Sequence, residues 1–302
     1  MAGAAQVGCG LKFVGMMLLA VAPAFSATYL VTIAGLGGEP DYEQRFALLA
    51  TDTDKMLRAG GATDRVIDTL KGADATKAKV EATLTRIAGQ AKADDVFVLM
   101  LIGHGTYDGV EYKFNLPGPD ISGGELAGLL NKIPAARQLV VNMTSASGGA
   151  SAALKKDGRT VITATKSGTE KNAVVFARFW VEALRDSSAD TDKNEAISAT
   201  EAFLYAQAKT KKFYDDNKRL STEHAVLEDP QRAGNYTLLR YGAAAAQVKD
   251  PAKKELVSRK EQIENQIDSL KFQKATMDPA QYRAQLTAML LQLAQVQEAL
   301  DK

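Results

Sequence analysis

Cysteine is nearly absent: the one thiol in 302 residues is Cys9. It lies inside an N-terminal stretch expected to be removed, so the remaining chain offers no disulfide, no thiolate metal ligand and no thiol nucleophile. An excess of charge of either sign is also missing. Lys and Arg number 37 against 36 Asp and Glu, a net charge of +1. No basic cluster is interleaved with aromatic residues, which argues against nucleic acid as a partner. What the chain does have is apolar mass. With 46% hydrophobic residues it can bury a full core, and its length suits one large domain plus an appendage.

The N-terminus reads as an export signal. Lys12 precedes the apolar run "FVGMMLLAVAPAFSA", which ends in small residues around Ala24 to Ala27, the pattern of a cleavable leader over residues 1–27. Cleavage would leave a periplasmic or secreted protein. The alternative is an uncleaved membrane anchor, because Phe13 to Leu36 carries no charge and is long enough to span a bilayer. The β-branched "TYLVTIAG" favours cleavage, since it suits a first strand better than the end of a membrane helix.

Downstream, short apolar runs alternate with amphipathic helical patterns. "TYLVTIAG" leads to "YEQRFALLATDTDKMLRAG", "DRVIDTL" to "TKAKVEATLTRIAGQA", and "DDVFVLMLIGHG" to "SGGELAGLLNKI". "RQLVVNMTSAS" leads to a small-residue helix and "RTVITATKSG" to "NAVVFARFWVEALRD". The alternation predicts an α/β domain over 28–249, a mostly parallel sheet flanked by helices on both faces. Ligands of such sheets gather beyond the carboxyl ends of the strands, where His104, Ser145 and Thr165 fall.

Two of these strand ends carry chemistry. "VLMLIGHGTYDG" delivers His104, and "VVNMTSASGGA" delivers Thr144, Ser145 and Ser147 into a turn closed by Gly148 and Gly149. The pairing resembles the caspase and legumain group of cysteine peptidases, in which a His-Gly and a later Ala-Cys-x-Ser-Gly supply the catalytic dyad. By element order the resemblance runs from Thr28 to Gly234. It implies a caspase/legumain-like fold and a cleft for a peptide or protein ligand. It also implies His104 and Ser145 at the dyad positions, with Gly105 beside the histidine. Thr165 and Ser167, in "TATKSGTEKN", would line the cleft, and Arg45, in "DYEQRF", matches the loop that carries a specificity-pocket arginine in that group. Ser145 stands in place of the cysteine. Met143 stands where legumains have an acidic pocket residue, and Gly103 where they have an aspartate, so asparaginyl specificity is not implied.

Serine in place of cysteine changes the chemical demand. A thiol is partly ionised near neutral pH, whereas a hydroxyl must lose its proton to an oriented base during attack. A serine triad also needs a carboxylate to orient the imidazole, and the candidates Asp41 and Asp108 belong to no motif. Two readings stand. In one, the protein is a non-catalytic or weakly catalytic pseudopeptidase that binds or scaffolds peptides, with His104 and Ser145 as satisfied polar residues. In the other, it is an active serine-type endopeptidase using the same pair. His224, in "STEHAVLED", is expected to make a loop hydrogen bond.

A second motif, "DTDKNEAISATE" from Asp190 to Glu201, matches a twelve-position calcium loop in spacing. The template assigns Asp190, Asp192 and Asn194 as side-chain ligands, Ala196 as a carbonyl ligand, Ser198 as a direct or water-bridged ligand, and Glu201 as a bidentate one. Its sixth position, normally glycine, is Glu195, which costs about 1 kcal/mol or more in left-handed geometry and predicts weak Ca2+ binding. The alternative is a capping box of Ser198 and Glu201 with the aspartates in a solvated loop.

The tail, 250–302, reads as an antiparallel helical hairpin. Asp250-Pro251 and Asp278-Pro279 each suit an N-cap followed by a first-turn proline. Leu256, Ile263, Ile267 and Leu270 in one helix, and Tyr282, Leu286, Met289, Leu293, Val296 and Leu300 in the other, form a heptad-like seam. The seam is expected to close on itself or on the domain; otherwise the tail is a dimerisation or docking arm and the protein acts in structural assembly.

Overall fold

A computed structural model describes residues 26–60, 64–242, 253–274 and 277–302. Apart from Ser26 and Ala27, the segment read as an export signal lies outside the described residues. No helix among those described is long and apolar enough to cross a membrane.

In chain order the elements begin with β1 (Thr28–Ala34), α1 (Pro40–Ala59), β2 (Arg65–Leu70), α2 (Lys77–Gln90) and β3 (Val96–Gly103). They continue through β4 (Gly105–Tyr107), β5 (Tyr112–Phe114), β6 (Ile121–Ser122), α3 (Gly123–Asn131), β7 (Arg137–Thr144) and α4 (Ser151–Leu154). Next come β8 (Arg159–Thr163), α5 (Phe176–Ala183), β9 (Ala196–Ser198), α6 (Ala199–Asp216), β10 (Val226–Leu227), α7 (Pro230–Ala233) and β11 (Thr237–Arg240). Two longer helices, α8 (Lys254–Gln273) and α9 (Pro279–Asp301), complete the fold.

The main sheet has the order β2-β1-β3-β7-β8-β10, parallel throughout except for β10, which runs antiparallel to β8. β3 and β7 are apolar on both sides because helices cover both faces. One face, with Leu30, Met100 and Val141, packs against Phe46 of α1, Trp180 of α5 and Phe203 of α6. The other, with Val31, Leu99 and Val140, packs against Leu84 of α2, Leu126 of α3 and Leu154 of α4. Each such side chain, fully buried, contributes about 1.5–3 kcal/mol of transfer free energy before entropy is counted.

The structure departs from the sequence reading in three places. The small-residue helix after β7 is reduced to the four-residue α4, preceded by a 3-10 turn over Ser147–Ala150. A small antiparallel sheet, β4-β5-β6, is inserted between β3 and α3. A second pair, β9-β11, forms beside the main sheet. α8 is described from Lys254, so the start expected at Asp250-Pro251 lies outside the described residues. α8 and α9 are antiparallel: the Lys253 ammonium donates to the Leu300 carbonyl, and Arg259 bonds Gln292 at 3.3 Å. Ile263, Ile267 and Leu270 of α8 are buried, as is Leu300 of α9. Asp278 caps α9 by accepting from the Ala280 and Gln281 amides at 2.9 and 3.0 Å.

Candidate functional site at the carboxyl edge of the sheet

The strand order reverses between β1 and β3, since β2 lies to one side and every later strand of the main sheet to the other. α1, which follows β1, and α3, which follows β3, cover opposite faces, so the chain parts at the carboxyl ends of β1 and β3, the place where such sheets take ligands; here Phe114 packs against Gly35, and the Asn115 carbonyl accepts the Leu36 N–H at 2.9 Å. His104 is the residue that follows β3. Its ring packs edge-on against Tyr42 and Phe46 of α1, with centroids 4.7 and 5.0 Å away. Burial pushes its pKa below the ordinary value, against a smaller opposing pull from Glu39, so the imidazole is neutral near pH 7. The ring makes no hydrogen bond among the described residues.

Ser145 follows β7 and is the neighbour of His104 by register, because Gly103 pairs with Thr144. The two side chains are nonetheless not hydrogen-bonded to each other. The Ser145 hydroxyl donates to the Gly105 carbonyl and accepts the Gly105 N–H, both at 3.1 Å. Serine is therefore a bracket between two backbones. A Cβ on Gly105 would come within 2.6 Å of the Ser145 carbonyl oxygen, which explains why glycine follows the histidine.

The rest of the edge is equally committed. Thr144 Oγ1 lies 2.7 Å from the Tyr112 hydroxyl and 2.8 Å from Asn142 Oδ1, and burial pushes the Tyr112 pKa up to about 12. Ala146 adopts a left-handed conformation (φ 55°). Ser147 and Thr165 are buried and share a 3.1 Å hydroxyl contact, while the Gly148 N–H donates to Thr165 Oγ1 at 2.9 Å. Gly148 must be glycine because a Cβ there would meet the Ser167 backbone nitrogen at 2.3 Å. Thus Thr165 fastens the end of β8 to the turn after β7. Ser167 is half-buried, with its hydroxyl 2.7 Å from that of Thr169. Arg45 lies on the surface of α1, paired with Asp41 at 2.7 Å and stacked over the Tyr42 ring at 4.8 Å.

The imidazole with an orienting carboxylate is the other one. His224 Nδ1 lies 2.6 Å from Glu170 Oε1, and the Glu170 backbone carbonyl accepts the Ala146 N–H at 2.8 Å. Glu170 thus ties the segment around His224 to the end of β7. No local spacing announces this pair, because its members are 54 residues apart. Glu223, the residue before His224, caps α5 by accepting the Val175 and Phe176 amides at 2.8 and 3.1 Å. Burial raises its pKa against those bonds.

A second cluster lies in the Asp190–Glu201 loop. Carboxylate oxygens of Asp190, Asp192 and Glu201 approach within 4.8 Å of one another, and these three residues could hold a metal ion. The Asp190 carboxylate accepts the Asn194 and Glu195 amides at 3.2 and 3.0 Å and the Tyr241 hydroxyl at 2.6 Å. Burial works to raise its pKa, and these hydrogen bonds outweigh burial and hold it below the usual carboxylate range. Glu195 has φ 61°, the left-handed geometry that the template gives to glycine. Asn194 Oδ1 accepts the Ala196 N–H at 2.8 Å. β9, Ala196 to Ser198, pairs with β11, so the middle of the loop is held in a two-stranded ladder. Ser198 and Glu201 form the capping box of α6, and Glu201 Oε1 also accepts the Thr191 N–H at 2.8 Å. Cap and carboxylate cluster therefore coexist. Tyr241, which the sequence reading missed, comes from 51 residues away with no motif to signal it.

No protein-family model matches the chain, and no curated protein matches it. Among solved structures, the crystal structure of protein GSU0716 from Geobacter sulfurreducens is similar at 15% identity and a TM-score of 0.45, over 76% of this chain and 96% of that one.

Proposed function

We propose that the chain is a caspase/legumain-like protein with an altered dyad, a non-catalytic or weakly catalytic pseudopeptidase that binds a peptide or protein ligand at the carboxyl edge of its sheet. The observation that carries this reading is the bonding of Ser145. Its one hydroxyl proton goes to the Gly105 carbonyl, while His104, neutral and wedged against Tyr42 and Phe46, makes no bond to it. Support for the family likeness comes from His-Gly and Ser-x-Ser-Gly following adjacent parallel strands beside the point where the strand order reverses. The N-terminal segment supports export to the periplasm or beyond.

We also propose Ca2+ as the ion of the acidic loop. The donors of Asp190, Asp192, Asn194 and Glu201, with the Ala196 carbonyl and the Ser198 hydroxyl, are all oxygen, the set a hard cation takes.

The test of the pseudopeptidase reading is reactivity. A fluorophosphonate probe is expected to leave Ser145 unlabelled, and Ser145→Ala is expected to change no peptide hydrolysis. Labelling of Ser145 in the native chain, together with turnover that Ser145→Ala abolishes, would overturn the reading in favour of a serine endopeptidase.

A further inference from the structure

We propose that the outward face of α9 is a self-association surface whose occupant is α9 of a second copy of this chain, running antiparallel across a two-fold axis. A helix that packs on one side usually carries charge on the other. From Ala284 to Gln297, α9 carries none. Its solvent side instead presents Leu290 and Leu291, 48% and 61% exposed.

At about 100° of rotation per residue, Arg283, Thr287, Leu290, Leu291, Ala294 and Glu298 fall on one stripe turned away from the seam, and all six are exposed. The stripe is symmetric about its midpoint between Leu290 and Leu291. An antiparallel two-fold axis through that midpoint sets Leu290 of one copy against Leu291 of the other, Thr287 against Ala294, and Arg283 against Glu298. This is the self-complementary pattern that an isologous interface requires. A parallel pairing would set arginine against arginine. With Arg283 as its one cation, the stripe also lacks the Lys/Arg richness of a helix that lies on a membrane.

The area sets the strength. α9 has 23 residues, so it is ~34 Å long and presents a strip ~10 Å wide, or ~340 Å² per copy. The total of ~700 Å² falls short of the ~1,200 Å² of a stable complex, so the dimer is reversible and dependent on concentration.

Sedimentation velocity on the purified full-length chain tests this across a wide concentration range. The expected result is a monomer–dimer equilibrium that Leu290→Glu/Leu291→Glu abolishes. Arg283→Glu is expected to weaken dimerisation about fivefold, as it sets like charges across the axis. The charge swap Arg283→Glu/Glu298→Arg is expected to restore it to within about twofold. A chain that stays monomeric at every concentration would overturn the proposal. So would a dimer indifferent to the leucine pair, or one that the charge swap fails to rescue.

Discussion

Replacing Glu201 with glutamine separates a helix cap from a cation site. Oε2 of Glu201 accepts from the Ser198 N–H at 2.9 Å and the Ser198 hydroxyl at 2.8 Å, and Oε1 accepts from the Thr191 N–H at 2.8 Å and the Thr191 hydroxyl at 3.2 Å. Glutamine keeps the shape but has one acceptor and one donor where glutamate has two acceptors. Either amide orientation therefore leaves one backbone N–H, that of Ser198 or Thr191, facing an NH2 group. An unsatisfied donor costs about 1–3 kcal/mol, so Glu201→Gln is expected to lower the unfolding free energy by ~2 kcal/mol in the presence of chelator. A simple capping box, which glutamine serves almost as well as glutamate, predicts only a few tenths of a kcal/mol.

Calcium adds a second readout. Each Glu201 oxygen accepts one amide and one hydroxyl, and the Thr191 and Ser198 hydroxyls can rotate away, which frees a lone pair on each oxygen for a cation while both amide bonds remain. At a concentration ~100 times the dissociation constant, Ca2+ would stabilise the native chain by ~2.7 kcal/mol, and the variant by much less, since it has lost a charge and an oxygen. Urea unfolding followed by circular dichroism, in chelator and then in ~10 mM Ca2+ to exceed the ~10⁻⁴–10⁻³ M constants of weak loops, measures both quantities. A variant as stable as the native chain in chelator refutes the two-oxygen accounting. Equal calcium gains in the two proteins refute the ion site.

Two further outcomes test the sheet edge. Gly105→Ala is expected to cost about 1–3 kcal/mol or more, because its Cβ would lie 2.5 Å from the Tyr112 ring and 2.6 Å from the Ser145 carbonyl; an unchanged denaturation midpoint would contradict that spacing. For His104, whose folded-state pKa is depressed by burial, the unfolded chain binds the proton more readily, so stability is fully present above the unfolded value of ~6.5 and declines as pH falls below it. Urea melts between neutral and mildly acidic pH should show a smaller acid loss in His104→Phe than in the native chain, and equal losses would rule out a buried neutral imidazole.

What the sequence made legible follows from how local each signal is. The inner strands β1, β3 and β7 announce themselves as largely apolar runs, and α9 as steps of three and four opened by an Asp-Pro start. Those patterns are written within a dozen residues. β10 is two residues long, and β9 and β11 make a ladder only because α6 and α7 bring 196–198 and 237–240 together; no run that short is distinguishable from a turn. The calcium-loop spacing is also local, and it marked Asp190, Asp192 and Glu201. Their partners Tyr241 and Thr191 were not legible, since hydrogen-bond pairing across the fold leaves no periodic trace. The same holds for Glu170, which acquires its role only when the segment after β8 folds back against the segment before β10.

Activation of Ser145 by His104 would require three changes at once. The hydroxyl would have to leave the Gly105 carbonyl and turn to the imidazole, and the Gly105 N–H would lose its acceptor. His104 would have to carry a positive charge in surroundings whose burial disfavours it, with only Glu39 opposing that effect and no carboxylate bonded to its ring. The imidazole that does have such a carboxylate is His224, whose Nδ1 sits 2.6 Å from Glu170, and no hydrogen bond joins it to Ser145. The parts of a serine hydrolase are thus present as two separate pairs, a hydroxyl beside an unsupported imidazole and a supported imidazole without a hydroxyl. A triad works only as a unit, and its members lose most of their effect when one is missing. What the edge has in common with a working site is only placement: Ser147 and Thr165 are buried and joined to each other where β7 and β8 end, with half-buried Ser167 and exposed Arg45 farther out.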